Sequence, residues 1–214
     1  MSVAVILLAA GRSSRMEGKR HKLLLPLGER TVLVRVVETI VASEAHPLVI
    51  VLGYQAEQMR AVLAPYVTQP GVTIVDNPDY QQGMSTSLRQ GVATLLATSP
   101  ASDASEGALI MLGDQPLMTP HVINTVIKTK RTTGKSIVTP YYNGKRGNPT
   151  FFAASLFPEL LEMTGDEGGR KVIERHPHDI APLALSDSTA NYDVDTWETY
   201  QQVVELWEQR HDTA

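Results

Sequence analysis

The chain of 214 residues has no cysteine, so disulfides, thiolate nucleophiles and Cys-ligated zinc are all excluded. No apolar run reaches the roughly 18 residues that a membrane span requires. No basic stripe extends beyond the short cluster Lys19-Arg20-His21-Lys22, so nothing points to nucleic acid. The chain enters its first apolar run without a cationic leader or a cleavage site. A cytoplasmic protein that engages neither membrane nor nucleic acid is therefore expected. Several familiar motifs are also missing. A Walker A loop has four residues between its glycines, whereas six separate Gly11 from Gly18. Gly11 has no glycine two positions on, so the dinucleotide fingerprint fails. The histidines form no H-E-x-x-H, and Gly83-Met84-Ser85-Thr86-Ser87 departs from the nucleophile elbow at its fifth position.

What is present begins with Leu7 to Lys22. Val3 to Leu8 is apolar and partly β-branched, the pattern of a buried strand. It breaks into small residues, two glycines and the cations Arg12, Arg15, Lys19, Arg20 and Lys22. Small residues let a backbone approach a ligand, exposed N–H groups form an anion-binding nest, and cations add charge where phosphate oxygens would sit. The stretch is a candidate phosphate loop in solvent, and the alternative is a plain solvated turn.

Further buried strands are expected at Leu48–Leu52, Val72–Val75, Ala108–Leu112 and Ser136–Tyr142, with a return strand at Thr150–Ala153 after the type I′ turn signal Asn143-Gly144. A short strand is expected near Ile180–Leu185, and Asn191–Val194 as extended chain. Helical spacing marks Val32–Val41 behind the N-cap Thr31, Gln55–Leu63 stopped before Pro65, Ser85–Leu96, Pro120 to about Thr132, Leu156–Met163, Gly169–His176 and Thr196 to about Arg210. Alternating strands and helices argue for a single Rossmann-like three-layer α/β domain, with a mostly parallel sheet and a small antiparallel hairpin in the second half.

In open α/β sheets ligands bind beyond the carboxyl ends of strands. Ala9–Lys22, Gly53-Tyr54 and Gly113–Pro116 follow strand ends, and Gly83–Ser87 opens a helix. Asp114 is either a turn cap or a metal ligand. Asp193 and Asp195 are two apart, so in extended chain they share a face and can approach one cation. Asp195 is equally a good N-cap for the last helix, and the cap is the favoured role. Ser85 is either a cap or a contact to base and ribose.

Leu8-Ala9-Ala10-Gly11-x-Ser13-x-Arg15-Met16 with Lys22-x-Leu24-Leu25-Pro26 resembles the signature of nucleotidyltransferases, and most of all the molybdenum cofactor cytidylyltransferases. Gly53-Tyr54, Asn77-Pro78-x-Tyr80-x-x-Gly83-Met84-x-x-Ser87-Leu88, Gly113-Asp114-Gln115-Pro116, Gly147-Asn148-Pro149, Gly165–Arg170 and Asp193-Val194-Asp195-Thr196 follow in the family's order. The resemblance implies one domain over 1–214, with a nucleotide half to about residue 118 and an acceptor half from about 119. It implies catalytic roles for Arg15, Lys22 and Asp114. It implies nucleotide contacts from Leu8, Ala9, Ala10, Gly11, Arg12, Ser13, Lys22, Gly53, Gly83, Ser85 and Ser87. Asn148, Pro149, Gly168, Gly169 and Arg170 would border the acceptor, and Asp114 with Asp193 or Asp195 would hold Mg²⁺. Ala9-Ala10-Gly11 is similar to the cytidine branch; the guanine branch usually has a second glycine there.

The implied reaction is transfer of CMP from CTP to the phosphate of molybdenum-bearing molybdopterin, with release of pyrophosphate. The alternatives are GTP-dependent guanylyl transfer, a sugar- or alcohol-phosphate acceptor, and a non-catalytic carrier that delivers the cofactor to a molybdenum-dependent enzyme.

Overall fold

The computed structural model describes residues 2–13, 16, 21–98, 105–166 and 168–211. The first strand, β1 (Val3–Ala9), is buried along its whole length. Its alternate residues serve two cores. Val3, Val5, Leu7 and Ala9 belong to one apolar cluster, and Ala4, Ile6 and Leu8 to the other. A strand with helices on both faces must be apolar at every position, which is why the run shows no polar alternation.

The remaining strands are β2 (Pro26–Leu27), β3 (Arg30–Thr31), β4 (Leu48–Leu52), β5 (Val72–Asp76), β6 (Gly107–Leu112), β7 (Ile137–Tyr142), β8 (Lys145–Arg146), β9 (Thr150–Ala153) and β10 (Ile180–Leu185). Among the described residues one sheet has the order β10-β7-β9-β6-β1-β4-β5, with β8 paired to β7. β4 and β6 run parallel to β1, and β5 runs parallel to β4, while β9 is antiparallel to both β6 and β7. The order reverses at β1, which has β4 on one side and β6 on the other. The carboxyl ends of β1 and β6 therefore flank the topological switch point, where such sheets bind ligands.

Helices α1 (Val32–Val41), α2 (Ala56–Val62), α3 (Ala64–Val67), α4 (Met84–Thr98), α5 (Pro120–Thr133), α6 (Phe157–Leu161), α7 (Arg170–Arg175) and α8 (Trp197–His211) complete the three layers. α1, α5 and α8 bury Val36, Ile123 and Val203 in the first cluster, and α4, α6 and α7 bury Leu88, Leu160 and Val172 in the second. Gly91 of α4 faces β1, where an added Cβ would lie 2.3 Å from Ile6 Cγ2. A glycine there costs helix stability of about 1 kcal/mol, and the close helix–sheet packing offsets it.

One local expectation needs correction and two gain detail. The helix after Gln55 stops before Pro65 as expected, and a separate short helix, α3, follows with Pro65 in its first turn, where a missing N–H costs nothing. The turn at Asn143-Gly144 has both residues at positive φ, as type I′ requires, but the immediate return strand is the two-residue β8. Thr150–Ala153 is the expected return strand, antiparallel to β7, and it inserts between β7 and β6. Asn191 ends a 3₁₀ turn, Ser188–Asn191, and is not extended. Among the described residues no helix is long and apolar enough to cross a membrane.

Candidate active site in two adjoining cavities

Ala10 to Ser13 leave β1 and are held from two sides. His21 is 3% exposed. Its Nδ1 accepts the Leu23 N–H at 3.2 Å, which leaves the proton on Nε2. Nε2 then donates to Gly11 O at 2.7 Å and lies 3.1 Å from Ser13 Oγ. Burial, assisted by the neighbouring Lys22 charge, holds the His21 pKa below its usual value against the opposing Gly11 bond and Asp114 charge. On the other side the Arg12 guanidinium lies 5.6 Å from the centre of the Tyr54 ring. His21 carries no recognisable motif, and its one sequence signal is its place between a cationic cluster and the apolar run Leu23-Leu24-Leu25. Arg15, Lys19 and Arg20 lie outside the described residues.

Gly113 follows β6 and its N–H donates to Leu8 O at 2.9 Å, which sets the β6 exit beside the β1 exit. Asp114 comes next. Its carbonyl accepts the Val194 N–H at 2.9 Å, tying the segment 193–195 to the same place. Val194 is fully buried, so the flanking Asp193 and Asp195 turn to the opposite side. Lys22 Nζ donates to Asp114 Oδ2 at 2.5 Å and to Asp195 Oδ1 at 2.8 Å. Its side chain is 14% exposed, so the expected solvated loop lysine is a largely buried one. Burial opposes its charge, but the charges and hydrogen bonds of Asp114 and Asp195 prevail and raise its pKa. Asp193 is pushed up to about 6 by burial and by the Asp114 charge, although it accepts a hydrogen bond from Gln115.

The favoured cap at Asp195 is overturned. Thr196 Oγ1 accepts the Thr199 N–H at 3.2 Å, and Thr199 Oγ1 accepts the Thr196 N–H at 2.9 Å. This reciprocal box caps α8 and leaves the Asp195 carboxylate to Lys22. The cap at Ser85 is overturned too. Asp166 Oδ1 accepts the Met84 N–H at 3.1 Å and Gly165 O accepts the Ser85 N–H at 3.0 Å, so a distant loop closes the start of α4. Gly83, at φ +109°, permits that contact: a Cβ would lie 2.6 Å from Gly165 O.

Two cavities open here. The first, about 430 Å³, is lined by Leu8 through Ser13, His21, Lys22, Gly83, Ser87, Asp114, Asp193 and Asp195 among others. The second, about 550 Å³, has a floor of Leu88, Ile110, Phe152 and Ile173 and a rim of Arg146, Asn148, Gly168, Gly169 and Arg170. Leu8, Met84, Leu112 and Asp166 line both. Each cavity draws on both sides of residue 118. Among the described residues, three expected at the site line neither cavity. Gly53 backs onto Ala10, Ser85 is fully buried inside α4, and Pro149 is buried behind Asn148.

Mg²⁺ takes oxygen ligands and is usually held by one or two carboxylates together with substrate phosphates and water. The donor set here is all carboxylate. Asp114 Oδ1 is buried without a hydrogen-bond partner among the described residues, an open acceptor that a cation would satisfy. Among the described residues no three acidic or histidine side chains converge to hold a metal by themselves. The residues therefore fit a cation that is shared with a phosphate ligand.

A family model described as the MobA-like NTP transferase domain matches residues 5–180. The chain belongs to that family. This NTP transferase is 31% identical to nicotine blue oxidoreductase of Paenarthrobacter nicotinovorans, over 92% of its own length and 93% of the relative's. It is 23% identical to the molybdenum cofactor cytidylyltransferase of Escherichia coli, over 91% and 92%. The crystal structure of Rv0371c from Mycobacterium tuberculosis superposes with a TM-score of 0.78 at 29% identity, covering 96% of this chain and 99% of that one. Rv0371c has also been solved in complex with manganese.

Proposed function

We propose that this NTP transferase moves CMP from CTP to the phosphate of molybdenum-bearing molybdopterin and releases pyrophosphate. One observation carries the proposal. The small-residue loop after β1, the ammonium of Lys22 and the carboxylates of Asp114, Asp193 and Asp195 all face one cavity, which shares a wall with a second one floored by apolar side chains. The likeness to the Escherichia coli cytidylyltransferase and Ala10 in place of a second glycine support CTP.

In this reading the triphosphate lies along Ala10–Ser13, whose N–H groups and Arg12 meet its oxygens. His21 keeps the loop in shape. Lys22 turns from its carboxylates toward the phosphates as negative charge develops on the leaving pyrophosphate. A divalent cation held by Asp114 with Asp193 or Asp195 would supply charge neutralisation and orient the leaving group. The acceptor lies in the second cavity between the apolar floor and the Asn148 and Arg170 rim. Its phosphate attacks the α-phosphorus, and the bond from that phosphorus to the bridging oxygen breaks. A phosphate monoester is already largely ionised near neutral pH, so alignment does most of the work and no strong base is needed. Leu8 and Leu112 at the shared wall keep water from the reacting phosphorus.

The test is pyrophosphate release measured for each NTP against each acceptor. Release with CTP and molybdopterin alone is the expected result. Release only with GTP removes the cytidine assignment, release only with a sugar or alcohol phosphate removes the pterin, and intact nucleotide throughout makes the chain a carrier. The oxidoreductase relative offers a redox reading, but the Lys22–Asp114–Asp195 group has no role in hydride chemistry and favours transfer of a nucleotidyl group.

A further inference from the structure

Gln115 lines neither cavity and is 2% exposed. Its Nε2 donates to Asp193 Oδ1 at 2.7 Å and to Asn191 Oδ1 at 3.4 Å. The same Asn191 oxygen accepts the backbone N–H of Asn148 at 3.2 Å. Asn148 is fixed from its other side, because Tyr142 Oη donates to its carbonyl at 2.7 Å. A continuous line of hydrogen bonds thus runs from a carboxylate of the first cavity to the rim of the second. Two amides, the buried Gln115 and the half-buried Asn191, form its middle.

The amide is a poor choice for stability. Gln115 Oε1 is buried without a hydrogen-bond partner among the described residues. An orphaned buried acceptor costs about 1–3 kcal/mol, and an apolar side chain of the same shape would avoid that cost. What an apolar side chain cannot do is donate to Asp193 and Asn191 together. We infer that Gln115 and Asn191 are positioning residues that set the distance and orientation between the metal-binding carboxylate Asp193 and the acceptor loop at Asn148. The inference rests on the reading of Asp193 as a metal ligand and of the second cavity as the acceptor site. An attacking phosphate and a metal-bound triphosphate must meet in line, so two subsites built from separate loops need a rigid link. Outer-shell partners of metal ligands commonly change affinity by about 10–100-fold when removed.

The test uses the full chain, with Mn²⁺ as the probe. Gln115→Met fills the same space and removes the donor. Its melting temperature should stay within a few degrees of wild type while its dissociation constant for Mn²⁺, read by electron paramagnetic resonance, rises about tenfold. Asn191→Ala leaves the Gln115–Asp193 bond in place. It should keep Mn²⁺ affinity near normal and raise the KM for the acceptor about tenfold with little change in kcat. This split is not what general loosening of the fold would produce. Mn²⁺ binding that is equal in wild type and Gln115→Met overturns the inference. Failure of the wild-type chain to bind Mn²⁺ overturns the metal reading and the inference together. Weakened Mn²⁺ binding in Gln115→Met, in a protein that turns over no acceptor, supports the inference and removes only the proposed substrates.

Discussion

Lys22 Nζ lies 2.5 Å from Asp114 Oδ2, joining the loop after β1 to the exit of β6. With Asp195 at 2.8 Å, one ammonium neutralises the largely buried Asp114 carboxylate and the more exposed one of Asp195. Lys22 is the cation that these two carboxylates share.

Lys22→Ala should therefore damage both function and stability. Removing one partner of a buried pair leaves an uncompensated charge and costs roughly 3–5 kcal/mol. The raised pKa of Lys22 has a clear sign: its contribution is complete below the unfolded value and is lost only as pH rises through the folded one, above 10.5. The loss should thus be full at neutral pH. Mn²⁺ at millimolar concentration should restore part of it, because a divalent cation can take the place of the ammonium. Thermal unfolding with and without Mn²⁺ checks this, and an unchanged melting temperature would contradict the buried pairing.

Asp114→Asn should leave the fold intact and remove transfer. The amide keeps the shape and accepts from Lys22, while Asp195 still balances the ammonium. Turnover should fall roughly 10²–10³-fold or more, on the scale of losing one preorganised electrostatic contact in a transition state. Pyrophosphate release at saturating nucleotide measures it, and wild-type turnover would reduce Asp114 to a turn-forming residue.

Much of this architecture is legible in the chain because burial on both faces writes itself as uninterrupted apolar residues. Val3–Ala9, Leu48–Leu52 and Gly107–Leu112 are such runs, and the groups at their carboxyl ends are those that meet at the switch point. Thr150–Ala153 is legible as a return strand, but its second neighbour, β6, is not, since an apolar run does not say which strands flank it. Caps are ambiguous for another reason. Asp195 and Thr196 are adjacent and equally able to cap, and the choice is made by Lys22, a residue 173 positions away in sequence. Ser85 loses its cap role to Gly165 and Asp166, contacts that exist only after the chain has folded back on itself. His21 and Gln115 act by shaping other residues, and such roles leave no spacing to read.

Asp193 gives the metal-free protein a pH signature. A carboxylate raised from 3.8 to about 6 disfavours folding when ionised. Its contribution is therefore best below 3.8 and is lost as pH rises through about 6. The difference corresponds to at most roughly 3 kcal/mol, reduced by solvent at the open side of the cavity. Asp193→Asn keeps an acceptor for Gln115 and removes the charge. It should stabilise the metal-free protein at pH 7.5, leave it unchanged near pH 4, and weaken Mn²⁺ binding. Chemical denaturation at the two pH values separates these effects; equal shifts at both would remove the titration of Asp193 as the cause.

His21 should behave in the opposite direction. A histidine held below its usual pKa is neutral in the fold and charges on unfolding, so stability is full above 6.5 and declines as pH falls through the lower folded value. Protonation would also abolish the Nδ1 acceptor that Leu23 N–H uses and disturb the grip of Nε2 on Gly11 O. His21→Phe keeps a ring in the space but leaves Leu23 N–H and Gly11 O without that partner, at a cost of about 1–3 kcal/mol each if they stay buried. The variant should fold less stably at pH 7.5, lose the part of the acid sensitivity that His21 contributes as pH falls below 6.5, and bind nucleotide more weakly, because the loop that would meet the triphosphate is no longer held. Denaturation curves across that range, together with calorimetric titration of CTP in the presence of Mg²⁺, test both halves. Wild-type nucleotide affinity in a destabilised His21→Phe would make His21 a residue of the core alone and free the loop from it.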